Sequence, residues 1–368
     1  TCSGAVMTVR VNKSAFNLRE KLSELERPIG FRGAELMKAE TTEDARGSIG
    51  AGRKNMVING DMRVFQRGNS GNATTGNTYF LDRFVVRNYN AGTLYITQQS
   101  SASGPPGFRS WLLAQCDGAD TSVASNDYAR IQQYIEGYNC FMDWGYGNTD
   151  YVTASFWVKS NKPGIYTFSI EDGDDGAPCR VQEYVIHSAD IWQKVELTFS
   201  PPPEGAWRGT DNGIGLRMTW CLMAGTGHQI TNNIWSNSYG MRSTNQVNFM
   251  DDANNNFYLT GVQLEVGKTA TDFEYRTYAE ELALCQRYYW QETTSPVMYA
   301  FDYDTSNAMA IIYHPVTMRA APTPTITTGG SGTWSSLNYN PSPNKWMGYV
   351  PHQSSASYIT SAKFSAEL

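Results

Sequence analysis

Gly261-Val-Gln-Leu-Glu-Val-Gly-Lys-Thr-Ala-Thr-Asp-Phe-Glu-Tyr-Arg-Thr-Tyr-Ala-Glu-Glu-Leu-Ala-Leu-Cys-Gln-Arg-Tyr-Tyr289 carries two periods in succession. Val262, Leu264 and Val266 alternate with Gln263 and Glu265, the two-residue period of a strand with one buried face. After a turn and Phe273-Glu-Tyr275, the period lengthens. Leu282, Cys285 and Tyr289 fall at i, i+3 and i+7 behind Glu280-Glu281, which predicts a short helix from Tyr278 with an acidic first turn. One β module closes here and a connector begins. Val266-Gly-Lys-Thr269 has the tail of a phosphate-binding loop, but Val262 stands where that loop needs its first glycine, so a surface turn is expected.

Upstream the same alternation recurs. Val152, Ala154, Phe156 and Val158 face away from Thr153, Ser155, Trp157 and Lys159; Val195, Leu197 and Phe199 repeat the pattern, as do Leu216, Met218, Trp220 and Leu222. Strands with one apolar face must pack those faces together, as two antiparallel sheets. Adding Met62–Gln66, Tyr79–Arg87, Leu94–Gln98 and Tyr128–Ile135 gives about eight to ten strands over residues 55–276, and a jelly roll as the leading architecture. The fold class is therefore mainly β. The expected organisation is an N-terminal arm (1–54), a jelly-roll β-sandwich (55–277), a connecting helix (278–291) and a small C-terminal β domain (292–368). Proline punctuation at Pro315, Pro322, Pro324, Pro341, Pro343 and Pro351 keeps the edges of that last domain short.

The arm has a different pattern. Val11, Ala15, Leu18, Leu22 and Leu25 occupy the a and d sites of a two-heptad seam, and Arg27-Pro28 stops the helix. A coiled-coil-like helix of about four turns is marginal alone. It either lies on a core or associates with copies of itself, and these five residues are the candidate oligomerisation contacts.

Composition excludes several classes. The 368 residues include 33 Gly, 22 Tyr and 10 Trp with only 17% charged residues and a net charge of −6, which suits a turn-rich β protein rather than a helical bundle. No apolar run reaches membrane-spanning length. An N-terminus without an apolar core argues against classical secretion. Residues 8–54 carry ten Lys/Arg against seven Asp/Glu, so the aromatic-rich remainder is acidic, the opposite of a nucleic-acid surface. Six scattered cysteines without a close pair make a zinc site unlikely and fit synthesis in a reducing cytoplasm.

Several motifs in order carry a resemblance. Lys54-Asn-Met-Val-Ile-Asn-Gly-Asp61 with Phe65-Gln-Arg-Gly68, Tyr79-Phe-Leu-Asp-Arg-Phe84, Tyr151–Lys159, Asp211-Asn-Gly-Ile-Gly-Leu216 and Thr260–Tyr289 resemble a family of tailed-bacteriophage fibre and other virion-surface proteins. Asn12-Lys-Ser-Ala-Phe-Asn-Leu18 is similar to tail-fibre connectors. The main domain is more distantly similar to carbohydrate-binding modules of jelly-roll type. The resemblance implies a homotrimeric tail fibre on the virion exterior, made in the host cytoplasm, bound to other virion proteins and touching a host glycan or receptor. A capsid-decoration or head-fibre protein, and a free glycan-binding or glycan-cleaving module, are the alternatives. Similar modules often hold a structural Ca²⁺, for which Asp61 and Glu265 are the places to look.

Sugar recognition requires exposed rings beside amides or carboxylates. Trp207, Trp235, Tyr239 and Tyr146 sit in polar loops and are the glycan-binding candidates; the competing reading is that such rings plug the end of the sandwich. Glu171-Asp-Gly-Asp-Asp-Gly176 reads as a solvated hairpin tip rather than a calcium loop. No nucleophile or metalloprotease motif is present, and no catalytic residue is assigned.

Overall fold

The computed structural model describes residues 54–140, 142, 144, 150–173, 178–203, 207, 211–302, 307–330, 334, 336–339, 341–351 and 357–368. The seam Val11, Ala15, Leu18, Leu22 and Leu25 and the loop residue Tyr146 lie outside the described residues. Arg53–Leu368 forms one compact unit.

Alternation becomes strand wherever it was read, and thirteen antiparallel strands are described in the sandwich. They are β1 (Ser70–Ala73), β2 (Gly76–Tyr79), β3 (Phe84–Tyr89), β4 (Thr93–Ser100), β5 (Ser110–Gly118), β6 (Tyr128–Glu136), β7 (Val152–Ser160), β8 (Gly164–Asp172), β9 (Cys179–Ile186), β10 (Gln193–Phe199), β11 (Ile214–Ala224), β12 (Trp235–Ser236) and β13 (Asn256–Val266). One sheet has the order β1-β4-β5-β13-β7-β10 and the other β12-β9-β8-β11-β6-β3-β2. Their facing sides make the main core. Phe84, Phe156 and Phe168 pack around Trp220 with ring centroids 6.1, 5.6 and 5.0 Å away.

Thirteen strands exceed the eight to ten expected. Ser110-Trp-Leu-Leu-Ala-Gln-Cys116 in β5 and Tyr166-Thr-Phe-Ser-Ile-Glu-Asp172 in β8 are buried nearly throughout, so neither shows an apolar face against an exposed one. Met62–Gln66, read as a strand, is not one. Asn59 (φ 61°) and Met62 (φ 60°) turn left-handed, and the Asn59 side chain takes over the pairing, accepting from Val64 N at 2.9 Å and donating to Val64 O at 2.8 Å. The opening segment instead docks on β13: Asn55 Oδ1 accepts from Leu264 N at 3.1 Å and its Nδ2 donates to Val262 O at 3.1 Å. Gly60 fits there because a Cβ would lie 2.1 Å from Val262 O.

Thr277 caps α1 (Tyr278–Gln286) in a capping box with Glu280, as the acidic first turn predicts. Beyond it run β14 (Tyr289–Glu292), β15 (Met298–Tyr299), β16 (Phe301–Asp302), β17 (Asn307–Tyr313), β18 (Thr323–Gly329), β19 (Ser336–Tyr339), β20 (Lys345–Pro351) and β21 (Tyr358–Ser365). β21 pairs with β14 and β15 on one side and with β18 on the other, while β16-β17-β20-β19 forms a second sheet. Trp290, Phe364 and Trp346 fill their core, and Trp290 Nε1 donates to His314 Nδ1 at 2.9 Å.

The C-terminal strands are tied to the sandwich by buried charge. Arg67 Nη2 lies 2.8 Å from Glu367 Oε1, and Arg83 Nη1 donates to Glu367 Oε2. The Arg83 guanidinium stacks 3.6 Å from the centroid of Tyr288, whose hydroxyl donates to Glu136 Oε2 at 2.7 Å.

Candidate functional site

Which face of a strand becomes a site follows from what already covers the other. On β6, Ala129, Ile131 and Ile135 enter the main core, so Tyr128, Arg130, Gln132 and Tyr134 project from the outer face of the seven-stranded sheet. Register then lines these up with their neighbours in rows. Tyr89 pairs with Tyr128; Arg87 with Arg130, which pairs with Cys221; Val85 with Gln132, which pairs with Thr219; and Tyr134 with Arg217, which pairs with Glu171.

The rows differ in chemistry. At one end Tyr89, 46% exposed, stacks on Tyr128 with centroids 5.8 Å apart, and His228 and then Tyr239 continue the ring contacts at 5.3 and 5.8 Å. The Arg130 guanidinium lies over Tyr128 at 4.5 Å and Tyr239 at 5.5 Å. In the middle, Gln132 Nε2 donates to Thr219 Oγ1 at 2.6 Å, Thr219 Oγ1 to Glu171 Oε1 at 3.1 Å, and Tyr134 Oη to Gln132 Oε1 at 3.1 Å. Arg87 Nη1 reaches the Tyr134 hydroxyl at 3.4 Å and Arg217 Nη1 approaches Glu171 Oε2 at 3.9 Å. The result is an aromatic step beside a lattice of guanidinium, amide, hydroxyl and carboxylate groups.

Residues 225–248 form a strap across part of this face. Cys179 Sγ donates to Gly240 O at 2.9 Å, Thr167 Oγ1 to Met241 O at 2.8 Å and Gln246 Nε2 to Cys221 O at 3.0 Å. Beside the strap, Glu183, Gln229, Asn232, Thr244 and Asn245 contribute to the lining of a cavity of about 260 Å³. Its wall offers amide and hydroxyl groups suited to sugar hydroxyls.

Glu171 and Asp172 are not a solvated tip. They end β8 and are fully buried, while residues 174–176 of that stretch lie outside the described residues. Burial pushes the Glu171 carboxyl above its ordinary range against the pull of Arg130, Arg217 and Thr219. Burial likewise raises Asp61, Asp82 and Glu281. For a carboxyl raised in the folded state, that state binds the extra proton, so stability falls as pH climbs from the ordinary carboxylate range through the raised value. The carboxyls held low, Asp252, Glu280 and Glu292, are exposed and screened by solvent. In a His228→Gln/His314→Gln background, which removes the two imidazoles that burial holds low and that act in the opposite sense over this range, the urea midpoint is therefore expected to be higher at about pH 5 than at about pH 8. The reverse order refutes this account of the buried carboxyls.

The candidates read from sequence go to separate places. Trp207 is 4% exposed and meets Trp144 edge-on at 5.1 Å, while half-buried Trp235 meets Trp144 at 5.8 Å and donates to Ser200 O at 3.1 Å. These indoles pack on one another, and Trp207 has no face open for stacking. Tyr239 joins the His228 and Arg130 cluster. The structure adds Tyr89, Tyr128, Arg87, Arg130, Gln132, Glu171 and Arg217, which sequence reading missed. The signal was there in Tyr128-Ala-Arg-Ile-Gln-Gln-Tyr134, where the polar face of a strand carries long, hydrogen-bonding side chains.

Asp61 and Glu265 are held by protein groups, with Asp61 Oδ1 left buried without a hydrogen-bond partner. Glu265 accepts from Thr271 N at 2.9 Å, Thr271 Oγ1 at 2.6 Å and Gln263 Nε2 at 2.7 Å, and Asp61 pairs with Arg63. Among the described residues no three acidic, histidine or cysteine side chains gather in a metal-holding group. No described helix is long and apolar enough to cross a membrane.

No family model matches the chain, and no curated protein does. Solved structures similar to it include the enzymatically active domain of tailspike protein 4 of bacteriophage CBA120, at 13% identity over 58% of this chain with a TM-score of 0.30. The chain spans only 21% of that structure's length. A putative sugar-binding protein from Bacteroides thetaiotaomicron is similar at 12% identity over 58% of this chain and all of its own, TM-score 0.34. TmCBM61, solved with β-1,4-galactotriose, is similar at 10% identity over 58% and 99% of the two chains, TM-score 0.29.

Proposed function

We propose that the chain is a non-enzymatic bacteriophage virion protein, a short trimeric tail fibre held by its N-terminal arm, with the outer face of the seven-stranded sheet contacting glycan on the host surface. The observation that carries the glycan reading is the half-exposed Tyr89 ring stacked on Tyr128, next to rows of guanidinium and amide donors. A ring of this kind takes the apolar face of a sugar while the half-exposed Arg87 guanidinium two residues away takes its hydroxyls. The virion and trimer parts are supported by the ordered sequence motifs and by the Val11–Leu25 seam.

Support for a non-catalytic role comes from spacing. Among the described residues the carboxylates on this face are Glu136, held by Arg287 and Tyr288, and Glu171 and Glu183, the last of which pairs with Thr167, four residues along β8 from Glu171. That separates the backbones of Glu171 and Glu183 by about 14 Å, beyond the roughly 5–10 Å of carboxyl pairs that cleave glycosides.

The test is binding of the full chain to an array of host-surface glycans. Tyr89→Ala is expected to weaken the best binder about tenfold or more, since loss of one stacking ring costs about 1.4 kcal/mol at that ratio. Unaltered binding by the variant, or no glycan bound, refutes the glycan reading. Sedimentation of the same preparation as a monomer refutes the trimer.

A further inference from the structure

Resting on the glycan-binding reading above, we infer that the ligand of this face is an anionic saccharide, its acid group seated between Arg87 and Arg130 beside the Tyr89 ring. Arg87 and Arg130 are direct cross-strand partners on the same face. Like charges placed opposite each other in a sheet repel, and a fold keeps such a pair at a cost. An anion between them turns the repulsion into two charge-assisted hydrogen bonds, the geometry for which the guanidinium fork is suited.

The protein's own groups do not neutralise the pair. Three guanidiniums, of Arg87, Arg130 and Arg217, share one carboxylate, Glu171, whose Oε1 is taken by Thr219 and Gln132 and whose Oε2 has no hydrogen-bond partner. Glu183, at the far end of the Arg130 row, already accepts from Asn245 Nδ2 at 3.1 Å. Arg130 is 4% exposed, its Nε has no acceptor, and its Nη1 meets a thioether, Met241 Sδ, at 3.8 Å. Arg87 Nε is equally without an acceptor. Burial pulls the Arg130 guanidinium below its ordinary value against the opposing pull of Glu171, and the neighbouring Arg87 adds to the lowering. This basic spot belongs to a chain whose net charge is −6, so it is not a by-product of composition.

The spacing suits a sugar. Tyr89 and Arg87 are two residues apart on β3, about 7 Å. A pyranose lying on the tyrosine thus brings an acid substituent on its ring to the arginines. A carboxylate and a phosphate ester offer the same oxygens, so the experiment separates them.

The full chain is titrated with tetragalacturonate, with the same tetrasaccharide after reduction of its carboxylates to alcohols, and with that neutral tetrasaccharide phosphorylated at its primary hydroxyls. An acidic probe is expected to bind about 10- to 100-fold tighter than the neutral one, the worth of a charge-assisted hydrogen bond, with the preference shrinking as salt rises. The better of the two acidic probes identifies the acid. Arg87→Gln is expected to bring the acid-to-neutral ratio close to one and, without ligand, to raise the urea midpoint by relieving repulsion. A purely structural Arg87 would lower that midpoint instead. Equal affinity for acidic and neutral probes, with both weakened by Tyr89→Ala, overturns the anionic inference and leaves the glycan reading intact. Arg87→Gln with an unchanged ratio and a lowered midpoint overturns it as well, and binding of none of the three probes overturns both.

Discussion

Glu367→Ala is expected to destabilise residues 53–368 by about 3–5 kcal/mol in urea unfolding, although Glu367 lies two residues past the last strand. Its carboxylate is the shared counter-ion of Arg67 and Arg83, and the Arg83 side chain is 2% exposed. Removing the carboxylate leaves a buried guanidinium whose remaining partners are the Tyr134 carbonyl, at 2.5 Å, and the Tyr288 ring. Losing one partner of a buried pair costs far more than the pair contributes, because the survivor stays desolvated and unpaired. Glu367→Gln keeps an acceptor and is expected to lose less. A loss below about 1 kcal/mol for Glu367→Ala would mean that Arg83 reaches water in solution and that the clamp is not what joins the C-terminal strands to the sandwich.

Trp220→Ala is expected to cost a similar amount, about 3–5 kcal/mol, for a different reason. Trp220 is fully buried where β11 meets Phe84, Phe156 and Phe168 from both sheets. The rings around it come from β3, β7 and β8, so the backbone cannot collapse into the space left without shifting strands in both layers. Trp220→Phe retains most of the volume and also removes an indole N–H that has no acceptor, so it is expected to cost clearly less. Equal losses for Ala and Phe would show that shape at this position, not volume, governs the core.

Much of the architecture was legible because alternation is local. β7, β10 and β11 announce an apolar and a polar face within a few residues, and Glu280-Glu281 announces the first turn of the helix. β5 was not legible, since Trp111, Leu112, Leu113 and Ala114 are apolar in a row, and β8 was missed although Tyr166, Phe168 and Ile170 alternate with Thr167, Ser169 and Glu171. The aromatic candidates illustrate the same limit. Trp207 and Tyr239 look alike in sequence, a ring in a polar loop, yet one is packed against Trp144 and the other joins Arg130 and His228.

By itself the sequence determined the strands with one apolar face, the short helix between the two β regions, and the exclusion of phosphate-loop and nucleophile motifs, all of which depend on residues adjacent along the chain. Only the tertiary structure decided that Arg87 stands opposite Arg130, that Glu171 is buried rather than at a turn tip, and that Glu367 closes a charge pair with Arg83. Those facts depend on register and on which segments cross over one another. Register is set by the summed packing of two sheets, and no short stretch of chain contains that information.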